Sequence, residues 1–234
     1  MKMCFVGREK EVRKLTKALE GGRHVIVTGP YGIGRTRMIR QIAETGRRER
    51  RFVFVDFSKT PGEVCEKLLA AFRPKAPSGR AIRSARYRIG RNLLAGMRLP
   101  DARKPVVVLD NIGRLTRQQL SFLRELNLEN RYLFIAIVES FLIERSFFLL
   151  RACLFPSETI ILHHLAIRDS YGYFQCIASE HHLSLTNHDL TILAEASGGY
   201  PLGMRETAQR LLKRNEGEAD RVSPEGGARS WEPI

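Results

Sequence analysis

Between Glu9 and Leu165 the apolar residues of this chain switch repeatedly between two periods. Val12, Leu15 and Leu19 recur at helical spacing, and Gly21-Gly22 stops the run. His24 to Thr28 is a short, nearly continuous apolar stretch, as expected of a strand buried on both faces. A helix follows from Arg35 to about Thr45, with Met38, Ile39 and Ile42 as its apolar face. Phe52–Asp56 reads as the next strand, and Pro61 opens a helix that turns Val64, Leu68, Leu69 and Phe72 inward. Ile82, Ala85, Ile89 and Leu93 then repeat at helical spacing, leaving Arg83, Arg86 and Arg91 to point elsewhere. Pro105–Asp110, Tyr132–Val138 and Thr159–Leu162 are the remaining strands, separated by helices at Thr116 to about Leu126 and at Leu142–Leu150. Such alternation predicts an α/β fold, a parallel sheet of five strands with helices on both faces. After Leu165 only helical spacing remains, at about Arg168–His182, Thr186–Ser197 and Pro201–Arg214. The segment from Asn215, rich in Gly, Glu, Arg, Ser and Pro, reads as a disordered tail. The expected organisation is therefore residues 1–165, 166–214 and 215–234.

The turn after the first strand, Gly29-Pro30-Tyr31-Gly32-Ile33-Gly34-Arg35-Thr36, has the layout of a P-loop, with Arg35 where the lysine belongs. A phosphate chain needs a concave row of backbone N–H groups, and glycines let the backbone approach closely enough. The helix that opens at Arg35 adds about half a positive charge at its N-terminus. This reading assigns Gly29, Gly32, Ile33, Gly34, Arg35, Thr36 and Arg37 to a nucleotide. Arg35 is the cation for the phosphates, and the Thr36 hydroxyl suits Mg²⁺.

A second element must help to hold the metal. Val106-Val107-Val108-Leu109-Asp110 matches the Walker B pattern, a buried strand that ends on a carboxylate. Asp110 then shares the Mg²⁺ with Thr36 and orients water around it. Asn111 follows, and an amide can orient water but cannot take its proton. The planar fork of Arg35 also differs from a compact ammonium. Together these changes predict ATPase activity that is slow or stimulated by a partner, unless another carboxylate such as Glu139 supplies the missing group.

Composition changes this picture mainly through charge. The 234 residues carry a formal net charge of +14, and the isoelectric point is near 10.2. An excess of that size points to a polyanionic partner. Part of it is concentrated at Arg47–Arg51 and between Arg73 and Pro100, where eight Lys or Arg residues occur with no acid. Arg47, Arg48, Arg50, Arg51, Arg80, Arg83, Arg86, Arg88 and Arg91 are the candidate nucleic-acid contacts, with Tyr87 placed to stack on a base. A solvated charged helix face is the alternative. No helix-turn-helix or zinc motif is present to read sequence, so binding to DNA is expected to be backbone-led. Cys4, Cys65, Cys153 and Cys176 lie far apart without a C-x-x-C pair, which argues against a disulfide framework and suits a reducing cytoplasm. The pairs His163-His164 and His181-His182 lack a partnering carboxylate or cysteine at ligand spacing. No signal peptide and no membrane span are expected.

The motifs, taken in order, resemble those of the AAA+ and STAND superfamilies of P-loop ATPases. Phe5-Val6-Gly7-Arg8-Glu9 is similar to their "VGRE" box, Leu109-Asp110-Asn111 to their second motif, and Gly199-Tyr200-Pro201 to the turn before the last lid helix. The resemblance covers about residues 3–214 and implies the ASCE-type strand order 5-1-4-3-2 with a small helical lid. It also implies that Val6, Gly7, Arg8 and Pro201 contact the base, and that Ser140, beside Glu139, is the sensor at the end of the fourth strand. Arg205 is the candidate second sensor; for Ser140 and Arg205 a plain surface role is the alternative. With Asp110, Asn111 and Ser140 as catalytic candidates and ATP and Mg²⁺ as ligands, the leading expectation is a DNA-binding ATPase. It would act as an ATP-dependent assembly switch, such as a transposition helper or initiator-like ATPase. A homo-oligomer and a protein partner such as a transposase follow from the same likeness. A STAND-type signalling switch and a degenerate ATPase serving as a scaffold are the alternatives.

Overall fold

A computed structural model describes residues 4–46, 50–72, 83–97 and 103–219. Among these residues the chain divides into two compact units, residues 8–163 and residues 4–7 with 164–219.

The larger unit is built on five strands: β1 (His24–Thr28), β2 (Phe52–Asp56), β3 (Val106–Ile112), β4 (Leu133–Val138) and β5 (Ser157–Ile161). All pair in parallel, in the order β2-β3-β4-β1-β5, which is the order that the resemblance implies. The apolar runs explain it. Val25, Ile26 and Val27 of β1, Val106 to Leu109 of β3 and all of β4 are buried, as strands covered on both faces must be. Burying one such side chain contributes about 2 kcal/mol.

The covering helices are α1 (Glu9–Glu20), α2 (Arg35–Thr45), α3 (Pro61–Phe72), α4 (Arg83–Gly96), α5 (Arg117–Leu128) and α6 (Glu144–Cys153). Thr60 with Glu63 and Thr116 with Gln119 close capping boxes at the starts of α3 and α5. Gln119 is buried, and its amide also donates to the Phe57 carbonyl at 2.7 Å and the Lys59 carbonyl at 3.2 Å. The turn that follows β2 is thereby fixed to α5.

Helix α4 corrects the expected face. Ile89 and Leu93 are exposed, whereas Leu94 is fully buried and Gly90 is covered. A Cβ at Gly90 would lie 2.9 Å from Leu69 and 3.0 Å from the Cys65 sulfur, so the glycine permits the close approach of α4 to α3. Tyr87 is half-buried, with its ring 6.1 Å from that of Phe122.

The smaller unit consists of α7 (Ile167–Glu180), α8 (Asn187–Ala196) and α9 (Pro201–Ala219), together with the segment 4–7. Phe174, Leu190 and Met204 form one part of its core, and Cys4, Ile177 and Ala208 another. Thr186 and Asp189 close a full capping box at the start of α8. The expectation of unpaired cysteines is corrected here: Cys4 and Cys176 are disulfide-bonded across 172 residues, a proximity that spacing in sequence cannot reveal. This removes the redox argument for a cytoplasmic location. The His164 ring contacts the Gly198 carbonyl at 3.1 Å and lies against Tyr200.

Candidate functional site

Strand β1 delivers the chain directly into the glycine loop. Gly29, Gly32 and Gly34 all have positive φ, a conformation that side chains rarely adopt. At Gly29 a Cβ would stand 2.6 Å from the Leu162 carbonyl oxygen, so only glycine fits there. Gly34 is the N-cap of α2 and offers no capping side chain. The first helical bond runs from the Met38 amide to the Gly34 carbonyl, so the amides of Arg35 and Thr36 precede the first helical acceptor. Donors in this arrangement suit an anion. Ile33 is buried, and Arg8, itself buried, donates to its carbonyl at 3.2 Å while pairing with Glu11 at 3.3 Å. Arg8 therefore braces the loop from behind.

The two phosphate motifs meet. The Thr36 hydroxyl donates to Asp110 Oδ1 at 3.0 Å. Both side chains are half-buried, and both are oxygen donors suited to a hard divalent cation. Strand β3 ends irregularly: its register with β4 shifts between Leu109 and Ile112, and Asn111 sits at φ 62°. The Asn111 amide donates to Asp110 Oδ1 at 3.0 Å, and its side-chain nitrogen reaches Asp56 Oδ1 at 3.3 Å.

Arg35 is committed elsewhere within its own chain. It is buried; one guanidinium nitrogen donates to the Val138 carbonyl and another to Glu139, each at 2.5 Å. Ser140, the next residue, is exposed in the turn after β4. Glu139 thus neutralises the cation that the sequence assigns to phosphates. The pairing was not legible in sequence, because 104 residues separate the partners.

Asp56 is a site residue that the sequence reading missed. It stands in register with Asp110 at the ends of two neighbouring strands. Its Oδ1 accepts from the Ser58 amide at 3.1 Å, the Ser58 hydroxyl at 2.7 Å and Asn111. The Ser58 hydroxyl bond, followed by the Ser58 amide, the Asn111 amide and the Lys59 charge, lowers its pKa. The only signal was a carboxylate closing an apolar strand, a feature it shares with Asp110.

The basic candidates separate into groups. Arg91 is bound to Glu125 at 3.1 Å and lies over the Tyr87 ring. Arg51 donates to the Ala71 carbonyl and lies over Phe72. Arg88 is exposed on α4, and Arg50 is half-buried. Arg83 and Arg86 belong to α4 by backbone alone, while Arg47, Arg48 and Arg80 lie outside the described residues. In the smaller unit, Val6 and Gly7 precede α1, Pro201 is the first residue of α9, and Arg205 is exposed on that helix. Gly7 has φ +70°, and a Cβ there would meet Asp169 at 2.6 Å. Among the described residues no helix is long and apolar enough to cross a membrane.

No curated protein matches this sequence. Among solved structures, Orc1 of Aeropyrum pernix in complex with DNA is similar at TM-score 0.67 and 16% identity, over 93% of this chain and 66% of that one. Cdc6p of Pyrobaculum aerophilum matches at TM-score 0.65 and 14% identity, over 90% and 62%. The RuvB Holliday junction branch migration motor of Thermotoga maritima matches at 0.59 and 19%, over 93% and 64%. The chain thus spans 62–66% of the length of these proteins, and at such identities the likeness establishes the fold. A family model described as an AAA domain matches residues 18–138, from α1 to the end of β4. That match covers just over half of the chain, which therefore belongs to the AAA domain family and has the fold of an AAA+ P-loop ATPase.

Proposed function

We propose that this protein is a regulatory ATPase that binds Mg²⁺ and ATP at the glycine loop and uses the bound nucleotide to control assembly on DNA. The observation that carries the reading is the 3.0 Å contact between Thr36 and Asp110. It pairs the two oxygen donors that would hold Mg²⁺ beside the N-terminus of α2. The amides of the loop would hold the phosphates, and Asn111 would orient water. Ser140, Val6, Gly7, Pro201 and Arg205 are assigned to the nucleotide on family resemblance alone.

The DNA part rests on charge. A net +14 and the exposed Arg88 support contact with phosphates, and the similar Orc1 chain was solved with DNA. Such binding would be sequence-independent and sensitive to salt. Phe141, Ile143 and Phe148 are about 70% exposed around the start of α6, which supports a protein contact, either a second copy or a partner such as a transposase. Transposition and replication-initiator roles are both compatible with this fold.

The Arg35–Glu139 pair favours a second reading, a vestigial loop in a protein-interaction scaffold. Calorimetric titration with Mg²⁺ and ATP separates the two. The switch reading expects micromolar binding in which the phosphates compete with Glu139 for Arg35, so that Arg35→Ala weakens it by about tenfold or more, equivalent to about 1.4 kcal/mol. Equal affinity in the two proteins, or no binding, supports the scaffold.

A further inference from the structure

We propose that Asp56, at the end of β2, is the carboxylate that activates water for ATP hydrolysis, in the place that Asn111 cannot fill. The inference rests on the nucleotide reading above and goes beyond it by naming the proton acceptor. Three observations lead to it.

First, the residue after Asp110 is an amide, so the proton of the attacking water needs another acceptor. Glu139, the other carboxylate at this edge of the sheet, is held by Arg35 at 2.5 Å. Second, Asn111 binds Asp56 directly, at 3.3 Å, and β2 and β3 bring Asp56 into register with Asp110. The carboxylate therefore stands one strand from the residue that touches Thr36 of the glycine loop. Third, its hydrogen bonds are one-sided. The Ser58 amide, the Ser58 hydroxyl and the Asn111 side chain all donate to Oδ1. Among the described residues none donates to Oδ2.

One oxygen is thus pinned and the other is left to act. The support is stiff as well. Phe57 is fully buried and its amide donates to the Asp110 carbonyl at 2.8 Å. Gln119 holds the Phe57 and Lys59 carbonyls from the other side. A base fixed in this way loses little freedom when it takes a water into hydrogen-bond reach.

In the reaction the water oxygen bonds to the terminal phosphorus of ATP as the bond from that phosphorus to the bridging oxygen breaks. ADP leaves with that electron pair. The water proton passes to Asp56 Oδ2 and then to the released phosphate. Asn111 and Ser58 are positioning residues that fix Oδ1.

The test separates binding from turnover, using the full chain with Mg²⁺ and ATP or a non-hydrolysable analogue. Asp56→Asn should lower kcat by about a hundredfold or more while leaving affinity for the analogue unchanged. The double variant Asp56→Asn with Asn111→Glu moves the carboxylate across the observed contact and should recover most of the turnover. Hydrolysis by Asp56→Asn at the wild-type rate overturns the assignment, as does a wild-type chain that binds ATP without hydrolysing it. Failure of the double variant to recover any turnover, with analogue affinity intact, also counts against it. A wild-type chain that does not bind the analogue defeats the nucleotide reading itself, and the assignment with it.

Discussion

His24 makes the first prediction, because it couples β1 to pH. It is 3% exposed in β1, five residues before the first glycine of the loop. Its Nδ1 accepts the Phe134 amide of β4 at 3.0 Å, so the ring serves as a neutral acceptor inside the sheet. Burial pushes its pKa down from 6.5 to about 4; the hydrogen bond with Asn127 opposes this and the Lys104 charge adds to it. A base whose folded pKa lies below its unfolded value takes up its proton first in the unfolded chain. Its contribution is therefore complete above about pH 6.5 and is lost as the pH falls towards 4. The full difference corresponds to about 3 kcal/mol, of which about 2 kcal/mol is gone by pH 4.5. Urea unfolding followed by circular dichroism at pH 7 and pH 4.5 measures the loss. His24→Asn keeps an acceptor near the position of Nδ1 and removes the titration. That variant should start less stable at pH 7 but lose about 2 kcal/mol less on acidification. Carboxylates contribute equally to both proteins, so the difference isolates His24. Identical losses in the two proteins would refute the reasoning.

Three further predictions concern the site. Thr36→Ala should remove the dependence of ATP affinity on Mg²⁺, which calorimetry with and without the metal detects; an unchanged metal effect would rule out Thr36 as a ligand. Glu139→Gln should free Arg35 for phosphates and tighten ATP binding by about tenfold, while the nucleotide-free chain loses about 3 kcal/mol from its uncompensated buried guanidinium. Weaker binding would mean that the pair supports the site as built. Arg88→Ala should reduce the dependence of DNA affinity on log salt by about one unit, whereas Arg91→Ala, held by Glu125, should mainly reduce stability. Equal effects of the two on the salt slope would remove the distinction drawn between them.

Much of the fold was legible because it lies in local apolar runs. β1 and β2 appear at the expected residues, His24–Thr28 and Phe52–Asp56, because each is an apolar run with a polar end; β1 is buried on both faces, whereas β2, at the sheet edge, buries alternate residues. The order of the sheet came from family resemblance, not from any residue. The face of α4 was misread because a helical period fits more than one stripe. Gly90, invisible to a hydrophobic pattern, decided which side could approach α3. In the site, the glycine loop, Thr36 and Asp110 were readable from spacing. Their neighbours were not: Glu139 reaches Arg35 across 104 residues, Asn111 reaches Asp56 across 55, and Cys4 reaches Cys176 across 172. Contacts of that range are made by tertiary folding and leave no periodic trace. The same holds for the basic residues, where Arg91 and Arg51 look free in sequence but are occupied by Glu125 and by Ala71 with Phe72.

The central claim is that nucleotide at the glycine loop governs binding to DNA. The most direct measurement is the affinity of the full chain for a non-specific duplex, with ATP and Mg²⁺, with ADP and Mg²⁺, and without nucleotide, at several salt concentrations. The account predicts a steep fall of affinity with salt in every condition and tighter binding with ATP, an advantage that Thr36→Ala abolishes. Affinity that is indifferent to nucleotide, or binding that does not respond to salt, would contradict it.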